Sequence, residues 1–206
     1  MDSKPLSICS YNVHNFHKRS VRPMKFAFMQ SLLSNHTFLC IQEHWLYESN
    51  IKSVIGELKQ GCNIIGCSPM NENVQRIGRP YGGCAIVWES SADFSAEQIP
   101  CANKRVCALD VKLKSGVHVL ILNVYMPFDD GLPQSLVDYR EVVNDVNQLI
   151  SERDPDEVAF LGDMNASFSR DSPAMRDRCS ILCELQDIFE LQCLTDQLHF
   201  LRYTRS

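Results

Sequence analysis

The fold is decided by three consecutive segments, VCALDVKL at 106–113, KSG at 114–116 and VHVLILNVY at 117–125. The two outer segments are rich in β-branched and apolar residues, a composition typical of β-strands. The segment between them is short and contains glycine, which favours a tight connection between neighbouring strands. The sequence therefore predicts a β-hairpin formed by Val106–Leu113 and Val117–Tyr125.

Further strand-like segments of the same composition lie on both sides of this hairpin. They are Leu6–Val13, Thr37–Gln42, Asn63–Gly66, Gly83–Trp88 and Glu157–Leu161. Seven strands are thus predicted along the chain, two of them in the hairpin.

Apolar residues recur at helical spacing in three places. Proline at the start of the first two stripes suits a first helical turn. The stripes are Met24, Phe28 and Leu32 after Pro23; Leu136, Tyr139, Val143, Val146 and Ile150 between Pro133 and Asp154-Pro155; and Ile181, Leu185, Ile188 and Leu191 within Pro173–Gln192.

The predicted order is strand–helix–strand–helix, where the helix after Gln42 has no apolar stripe of its own, then a run of strands with the hairpin, then helix–strand–helix. This order is neither a strict βαβ alternation nor an all-β pattern, so it predicts an α/β (α+β) sandwich of mixed sheets with helices packed outside them. The sequence contains no internal repeat and no low-complexity linker. A single domain over residues 1–206 is the simplest organisation.

Composition is that of an ordinary globular protein, with 206 residues, 45% hydrophobic and 22% charged. No apolar run approaches the roughly 18 residues that span a bilayer. The first ten residues lack the pattern of a secretory signal. We therefore interpret the ten cysteines as reduced thiols. The expected compartment is the nucleus or the cytoplasm, and secretion is not expected.

Charge is distributed unevenly around a net value of −5. Nine acidic and two basic residues lie between Asp129 and Glu157, which leaves a net charge of +2 for the rest of the chain. The acidic stretch coincides with the second predicted helix and is interpreted as its solvated face. Basic residues cluster elsewhere, where they could contact phosphates, at Lys18, Arg19, Arg22, Lys25, Arg76, Arg79, Lys104, Arg105, Arg170, Arg176 and Arg178.

Four predicted strands end in polar residues able to hold a metal ion or a phosphate. The polar residues are Asn12, Glu43, Tyr125, and the pair Asp163 and Asn165. Loops at the ends of buried strands are where open α/β folds place their sites. Each residue also has a plain alternative: Asn12, Asp163 and Asn165 as turn formers, Glu43 as a surface carboxylate, and Tyr125 as an aromatic at the edge of the core.

These residue types suit the hydrolysis of a phosphodiester. Mg²⁺ prefers oxygen ligands and needs only one or two carboxylates, so Glu43 is the expected ligand, with the amide oxygen of Asn12 beside it. Asp163 could orient or deprotonate the attacking water. Donors to phosphate oxygens are expected from Asn123, Asn165 and Tyr125. Non-catalytic roles are favoured for His14, His17 and His44, since none has a partner at ligand spacing.

In this order the segments resemble the motif series of the endonuclease/exonuclease/phosphatase superfamily. The matching segments are SYNVHNF at 10–16, IQEH at 41–44, NVYMP at 123–127 and LGDMNA at 161–166. Within the superfamily, GRPYGG at 78–83, LTD at 194–196 and YT at 203–204 are similar to endonuclease domains of non-LTR (LINE-type) retrotransposons.

The resemblance implies a four-layer sandwich, Mg²⁺ (with Mn²⁺ as the alternative ion), and DNA as the partner. It implies nicking of target DNA that primes reverse transcription, with a reverse transcriptase domain expected in the same parent polypeptide. It places Asn12 and Glu43 at the metal, Tyr125, Asp163 and Asn165 at the water and phosphate, and Asp196 beside a catalytic histidine. Arg79 and Thr204 would contact DNA or phosphate.

The family's final Ser-x-x-Asp-His motif is expected beyond Thr204, and the sequence given ends at Ser206. We therefore expect closing strands to be missing and this chain to have weak or undetectable nuclease activity, because losing a general acid or base costs on the order of 10²–10⁴ in rate. Two alternatives remain open. One is an abasic-site repair nuclease or a phosphoesterase acting on inositol phosphates or sphingolipids; the other is an inactive remnant that only binds nucleic acid or protein.

Overall fold

The computed structural model describes residues 6–16, 22–74, 80–91, 93–166 and 173–192. The strands in these ranges are β1 Ile8–Asn12, β2 Phe38–Gln42, β3 Cys62–Cys67, β4 Cys84–Glu89, β5 Phe94–Ile99, β6 Val106–Leu113, β7 His118–Tyr125 and β8 Glu157–Asp163. The α-helices are α1 Arg22–Asn35, α2 Glu48–Ile55, α3 Pro133–Arg153 and α4 Pro173–Ile188, and a 3₁₀ turn follows α2 at Gly56–Leu58.

The chain divides into two compact units, residues 1–165 and 166–206. The first unit holds β1 to β8 and α1 to α3, and the second holds α4. The single domain proposed from the sequence stays a prediction.

The eight strands form two mixed sheets, as the sequence predicted. In sheet 1 the order is β1-β2-β4-β3, with β1 and β2 parallel and the other neighbours antiparallel. In sheet 2 the order is β5-β6-β7-β8, with β7 and β8 parallel and the other neighbours antiparallel. The predicted hairpin is confirmed as β6 and β7, which pair from Val106 opposite Val124 to Lys112 opposite His118.

Two layers of apolar side chains hold the first unit together. Alternate residues of a strand face opposite sides of its sheet, so β2 turns Phe38 and Cys40 toward sheet 2, where they pack with Leu109 and Ile121. The opposite face of sheet 1 packs against α1 and α2. On the far side of sheet 2, α3 contacts β7. The predicted sandwich of sheets between helices is therefore confirmed, with four layers inside the first unit.

The buried face of α1 differs from the predicted stripe. Phe26, Met29 and Leu33 are the buried residues, whereas Met24 and Phe28 are 72% and 50% exposed. The 14-residue helix carries two overlapping apolar stripes, and spacing alone does not tell which one meets the sheet.

The other two predicted helices form with small differences at their ends. In α3 the buried residues include Tyr139, Val143, Val146 and Ile150, as predicted, and Asp154 ends the helix in the left-handed conformation. In the second unit, α4 ends at Ile188, four residues earlier than predicted. Ile181 and Leu185 are buried there, but Ile188 is exposed.

Two further observations concern the described residues as a group. No helix among them is long and apolar enough to cross a bilayer. Nine cysteines lie in these ranges, all as free thiols.

Candidate active site

The two parallel strand pairs end side by side, one from each sheet. Asn12 at the end of β1 is opposite Gln42 at the end of β2. Tyr125 at the end of β7 is opposite Asp163 at the end of β8. Contacts of β8 with β1 and of β2 with β7 bring the two pairs together. The polar residues that follow the strands therefore meet at one edge of the sandwich.

Asn12 links a carboxylate from each sheet. Its Nδ2 donates to Oε1 of Glu43 at 3.0 Å and to Oδ2 of Asp163 at 2.8 Å. Those two carboxylate oxygens thus lie no more than about 5.8 Å apart, the sum of the two distances. Asn12 Oδ1 accepts from the backbone N–H of His14 at 2.9 Å. The amide nitrogen faces the carboxylates, so the role of the amide oxygen as a metal ligand stays a prediction.

The second oxygen of Glu43 faces two aromatic side chains. Nδ1 of His14 lies 3.0 Å from Oε2 of Glu43, and Nε1 of Trp45 donates to the same oxygen at 3.3 Å. The rings of His14 and Trp45 meet edge to face with centroids 5.0 Å apart. His14 is 53% exposed and Glu43 14% exposed, so the imidazole lies between the carboxylate and solvent. Trp45 was not selected from the sequence, because its only signal there is its position two residues after Glu43.

Backbone strain is concentrated around these residues. Of seven non-glycine residues with positive φ in the described ranges, five lie here: His14, Asn15, Glu43, Trp45 and Asn165. Such conformations cost about 1–3 kcal/mol each and persist only where surrounding contacts enforce them. Here the loops after β1 and β2 hold each other, since the backbone N–H groups of Asn15 and Phe16 donate to the carbonyls of Glu43 and His44.

The Gly-Asp-x-Asn segment is shaped by close approach between β8 and β7. Gly162 has φ +142°, and a Cβ there would lie 2.0 Å from the carbonyl oxygen of Val124, so no other residue fits. Oδ1 of Asp163 accepts from the backbone N–H of Asn165 at 3.1 Å. Nδ2 of Asn165 donates to the carbonyl of Met126 at 2.7 Å.

Tyr125 is held as a neutral phenol at this site. Burial raises its pKa to about 12, and the negative charges of Glu43 and Asp163 add to the rise. The charge of Arg105 and a hydrogen bond between the Tyr125 and Asn165 side chains oppose it. A phenol that keeps its proton at neutral pH can donate a hydrogen bond to an anion.

Arg105, one of the basic residues listed in the sequence analysis, lies beside Tyr125. Its guanidinium carbon lies 5.8 Å from the centroid of the Tyr125 ring, and Nη1 donates to the Tyr125 carbonyl at 3.5 Å. The sequence signal was available: the hairpin register that pairs Val106 with Val124 puts residue 105 opposite residue 125.

His44 has a structural role. Its ring is buried, which lowers its pKa to about 4 and keeps it neutral. Nδ1 accepts from the backbone N–H of Leu46 at 3.0 Å, and Nε2 lies 3.2 Å from the carbonyl of Cys67. The ring packs on Gly83, where φ is +92° and a Cβ would lie 2.2 Å from it. This geometry agrees with the non-catalytic role favoured from the sequence.

Asn123 corrects the sequence interpretation. It was predicted to donate to phosphate, but it is fully buried between the sheets. Its Nδ2 donates to the carbonyls of Ile41 at 3.0 Å and Ala85 at 2.9 Å, and its Oδ1 accepts from Nε2 of Gln42 at 2.6 Å. Asn123 and Tyr125 lie two residues apart on the same face of β7. Only Tyr125 is at the end of the strand, where the site opens, whereas Asn123 lies deeper between the sheets.

Eight residues given a candidate role in the sequence analysis lie outside the described residues. They are His17, Lys18, Arg19, Arg76, Arg79, Arg170, Asp196 and Thr204. Their roles stay predictions.

The carboxylates of the site determine which metal ion it could hold. No group of three or more His, Cys, Asp or Glu side chains in the described ranges is arranged as a metal cluster. The site instead offers two carboxylates, Glu43 and Asp163, joined through one amide. Within the same ranges neither carboxylate pairs with a lysine or arginine. Two close carboxylates suit Mg²⁺, which takes one or two carboxylates and fills its remaining positions with water.

Comparison with known proteins gives matches by structure. No family model matches the sequence, and no curated protein matches it significantly. The AP endonuclease LMAP of Leishmania major matches with a TM-score of 0.64 at 15% identity, over 88% of this chain and 66% of that one. The 3′ phosphatase NExo of Neisseria, bound to product DNA hairpin, gives 0.57 at 17% identity, over 89% and 71%. TDP2 of Caenorhabditis elegans gives 0.53 at 20% identity, over 81% and 50%.

These likenesses show the fold. The solved structures that the chain resembles are members of the endonuclease/exonuclease/phosphatase superfamily. The chain spans between 50% and 71% of the lengths of the three structures described.

Proposed function

We propose that this protein is a Mg²⁺-dependent phosphodiester hydrolase that nicks DNA. The observation that carries the proposal is the Asn12 amide shared by Glu43 and Asp163, which holds two carboxylates at most about 5.8 Å apart at the end of the sandwich. Repulsion between two such charges is relieved when a divalent cation binds near them.

The residues of the chain divide the chemistry among themselves. A bound Mg²⁺ would neutralise the phosphoryl oxygens and stabilise the leaving oxygen. Glu43 would hold the ion, with the position of its carboxylate fixed by Asn12, His14 and Trp45. Asp163 would orient the attacking water and accept its proton. The neutral Tyr125 phenol would donate to a phosphate oxygen.

Two observations support DNA as the substrate, the likeness to solved structures and the motif resemblance. The LMAP and NExo structures are of an AP endonuclease and of a phosphatase bound to a DNA hairpin. The finer proposal is a retrotransposon-type endonuclease whose nick primes reverse transcription. It rests on the motif resemblance, including GRPYGG at 78–83, of which Gly78 and Arg79 lie outside the described residues.

A second candidate is abasic-site cleavage, favoured by the likeness to LMAP. The two candidates differ in substrate rather than in catalytic residues. An oligonucleotide duplex with a single abasic analogue, compared with the same duplex intact, separates them. A phosphoesterase specific for small molecules would instead release phosphate from inositol phosphates and leave both duplexes whole.

The test is plasmid nicking with the chain in excess over supercoiled DNA. We expect slow Mg²⁺-dependent conversion to open circles, abolished by EDTA and reduced at least 100-fold in Glu43→Gln and Asp163→Asn, on the scale of losing a general base. Glu141→Gln is the matched control, since Glu141 is an exposed carboxylate of α3. Equal nicking by wild type and both variants, or none with wild type, would contradict the proposal.

A further inference from the structure

A single ammonium group contacts three backbone carbonyls after β1. Nζ of Lys25 donates to three consecutive backbone carbonyls, those of Val13 at 2.5 Å, His14 at 3.0 Å and Asn15 at 2.9 Å. An ammonium has three N–H donors, and the three carbonyls match that number. Charge-assisted bonds of this kind are stronger than bonds between neutral groups.

The next carbonyl of the loop is held in the same way. Arg22 donates through Nε and Nη2 to the carbonyl of Phe16, at 3.1 and 3.0 Å. Four successive carbonyls, from residue 13 to residue 16, thus accept from two cations of α1.

The position of both cations in the helix supports a specific role. Arg22 and Lys25 lie in the first turn of α1, which contains no acidic residue. Cations at a helix N-terminus are disfavoured by the helix dipole. The carbonyl oxygens of the loop carry the negative partial charge that offsets this cost.

The loop needs such support because of its backbone conformation. His14 and Asn15 have φ of 44° and 81°, a left-handed pair of non-glycine residues. This conformation turns the carbonyls of residues 13–15 toward one point, where their dipoles repel one another unless a cation sits among them.

The loop carries two groups that hold Glu43. Asn12 precedes it and donates to Glu43, and the His14 ring lies against the same carboxylate. The backbone of the loop also donates to the carbonyls of residues 42–44. Lys25 therefore acts on the carboxylates through the loop. The sequence analysis had listed it only among basic residues that could contact phosphates.

We propose that Lys25 is a positioning residue of the active site, whose ammonium keeps residues 13–16 in the conformation that orients Asn12 and His14 toward Glu43. The inference rests on the proposed function for its catalytic meaning, but its structural core can be tested without activity.

The experiment compares Lys25→Met, Lys25→Arg and wild type by amide hydrogen exchange and by Mn²⁺ titration calorimetry. Lys52→Met is the matched control, an exposed lysine of α2 with the same change of charge. In Lys25→Met the amides of residues 13–16 should exchange about tenfold faster while strands β6 and β7 keep their protection. Mn²⁺ affinity should fall about tenfold, as for other residues that orient metal ligands. Lys25→Arg should recover most of both losses, because a guanidinium can also donate to several carbonyls.

Two results would overturn the proposal. One is unchanged exchange at residues 13–16 in Lys25→Met; the other is faster exchange spread equally over the whole chain, which would make Lys25 a general stabilising residue. If wild type binds neither Mn²⁺ nor Mg²⁺, the proposed function fails, and the exchange data still decide the role of Lys25.

Discussion

Replacing Asn123 with alanine tests the polar bridge between the two sheets. The substitution removes three buried hydrogen bonds, to the carbonyls of Ile41 and Ala85 and from Gln42. At about 1 kcal/mol for each bond, we expect the free energy of unfolding to fall by about 3 kcal/mol. Because no part of Asn123 reaches solvent, water cannot replace the lost partners in the folded state.

Urea denaturation followed by far-UV circular dichroism measures this change. Asn144→Ala in α3 is the control, since Asn144 is exposed and its loss should alter the free energy of unfolding by no more than about 0.5 kcal/mol. Gln42→Leu and the double variant complete a cycle, in which a coupling energy above about 0.5 kcal/mol is expected for groups in contact. A loss below about 1 kcal/mol in Asn123→Ala, together with weaker DNA binding, would refute the reasoning and return Asn123 to the phosphate site.

Three other predictions follow from the site geometry. Gly83→Ala should lower the melting temperature strongly, because its Cβ would lie 2.2 Å from the His44 ring at φ +92°; a melting temperature equal to that of wild type would show that the loop can move aside. Asp163→Asn should weaken Mn²⁺ binding at least tenfold without lowering the melting temperature, since it relieves repulsion with Glu43; calorimetry and thermal melts check both parts, and undiminished affinity would exclude Asp163 from the ion. The pKa of His44 is lowered from 6.5 to about 4, so its contribution to stability is present above pH 6.5 and lost as the pH falls toward 4. Melting temperatures measured across this pH range should therefore fall more steeply for wild type than for His44→Gln. An equal fall in both proteins would contradict the buried neutral imidazole.

The sequence predicted the strands best where local signals agreed. The hairpin of β6 and β7 combines long apolar segments with a short glycine-containing turn, and the register is fixed by the turn. The strand β5 was missed because it lies at the edge of its sheet and pairs only with β6. Its segment FSAEQI alternates weakly and is mostly exposed or half-buried, so it lacks the apolar signal of a buried strand.

The first and last residues of α2 could not be predicted from the sequence either. Its eight residues bury only Ile51 and Ile55, too few to establish a period. The choice between the two faces of α1 depends on how the helix packs on sheet 1, which a stripe of apolar residues does not state.

The polar residues at the strand ends were located from the sequence, but their mutual arrangement was not. Glu43, Asp163 and Asn12 are predicted because each lies at or next to the end of an apolar, strand-like segment. That one amide spans both carboxylates is a consequence of the packing of sheet against sheet, which composition does not record. The same limit explains Asn123 and Lys25, whose partners are backbone carbonyls that no sequence motif marks.

The bridging amide of Asn12 has a consequence for how the protein tolerates change. Its NH₂ group donates to one carboxylate from each sheet, so a slip of one sheet across the other by even a fraction of an ångström alters the spacing of the two oxygens. Substitutions that change side-chain volume between the two sheets, at Leu109 or Ile121 for example, would therefore alter the affinity for the ion. Under the proposed function, substitutions in the apolar interior that leave the melting temperature intact would still change activity.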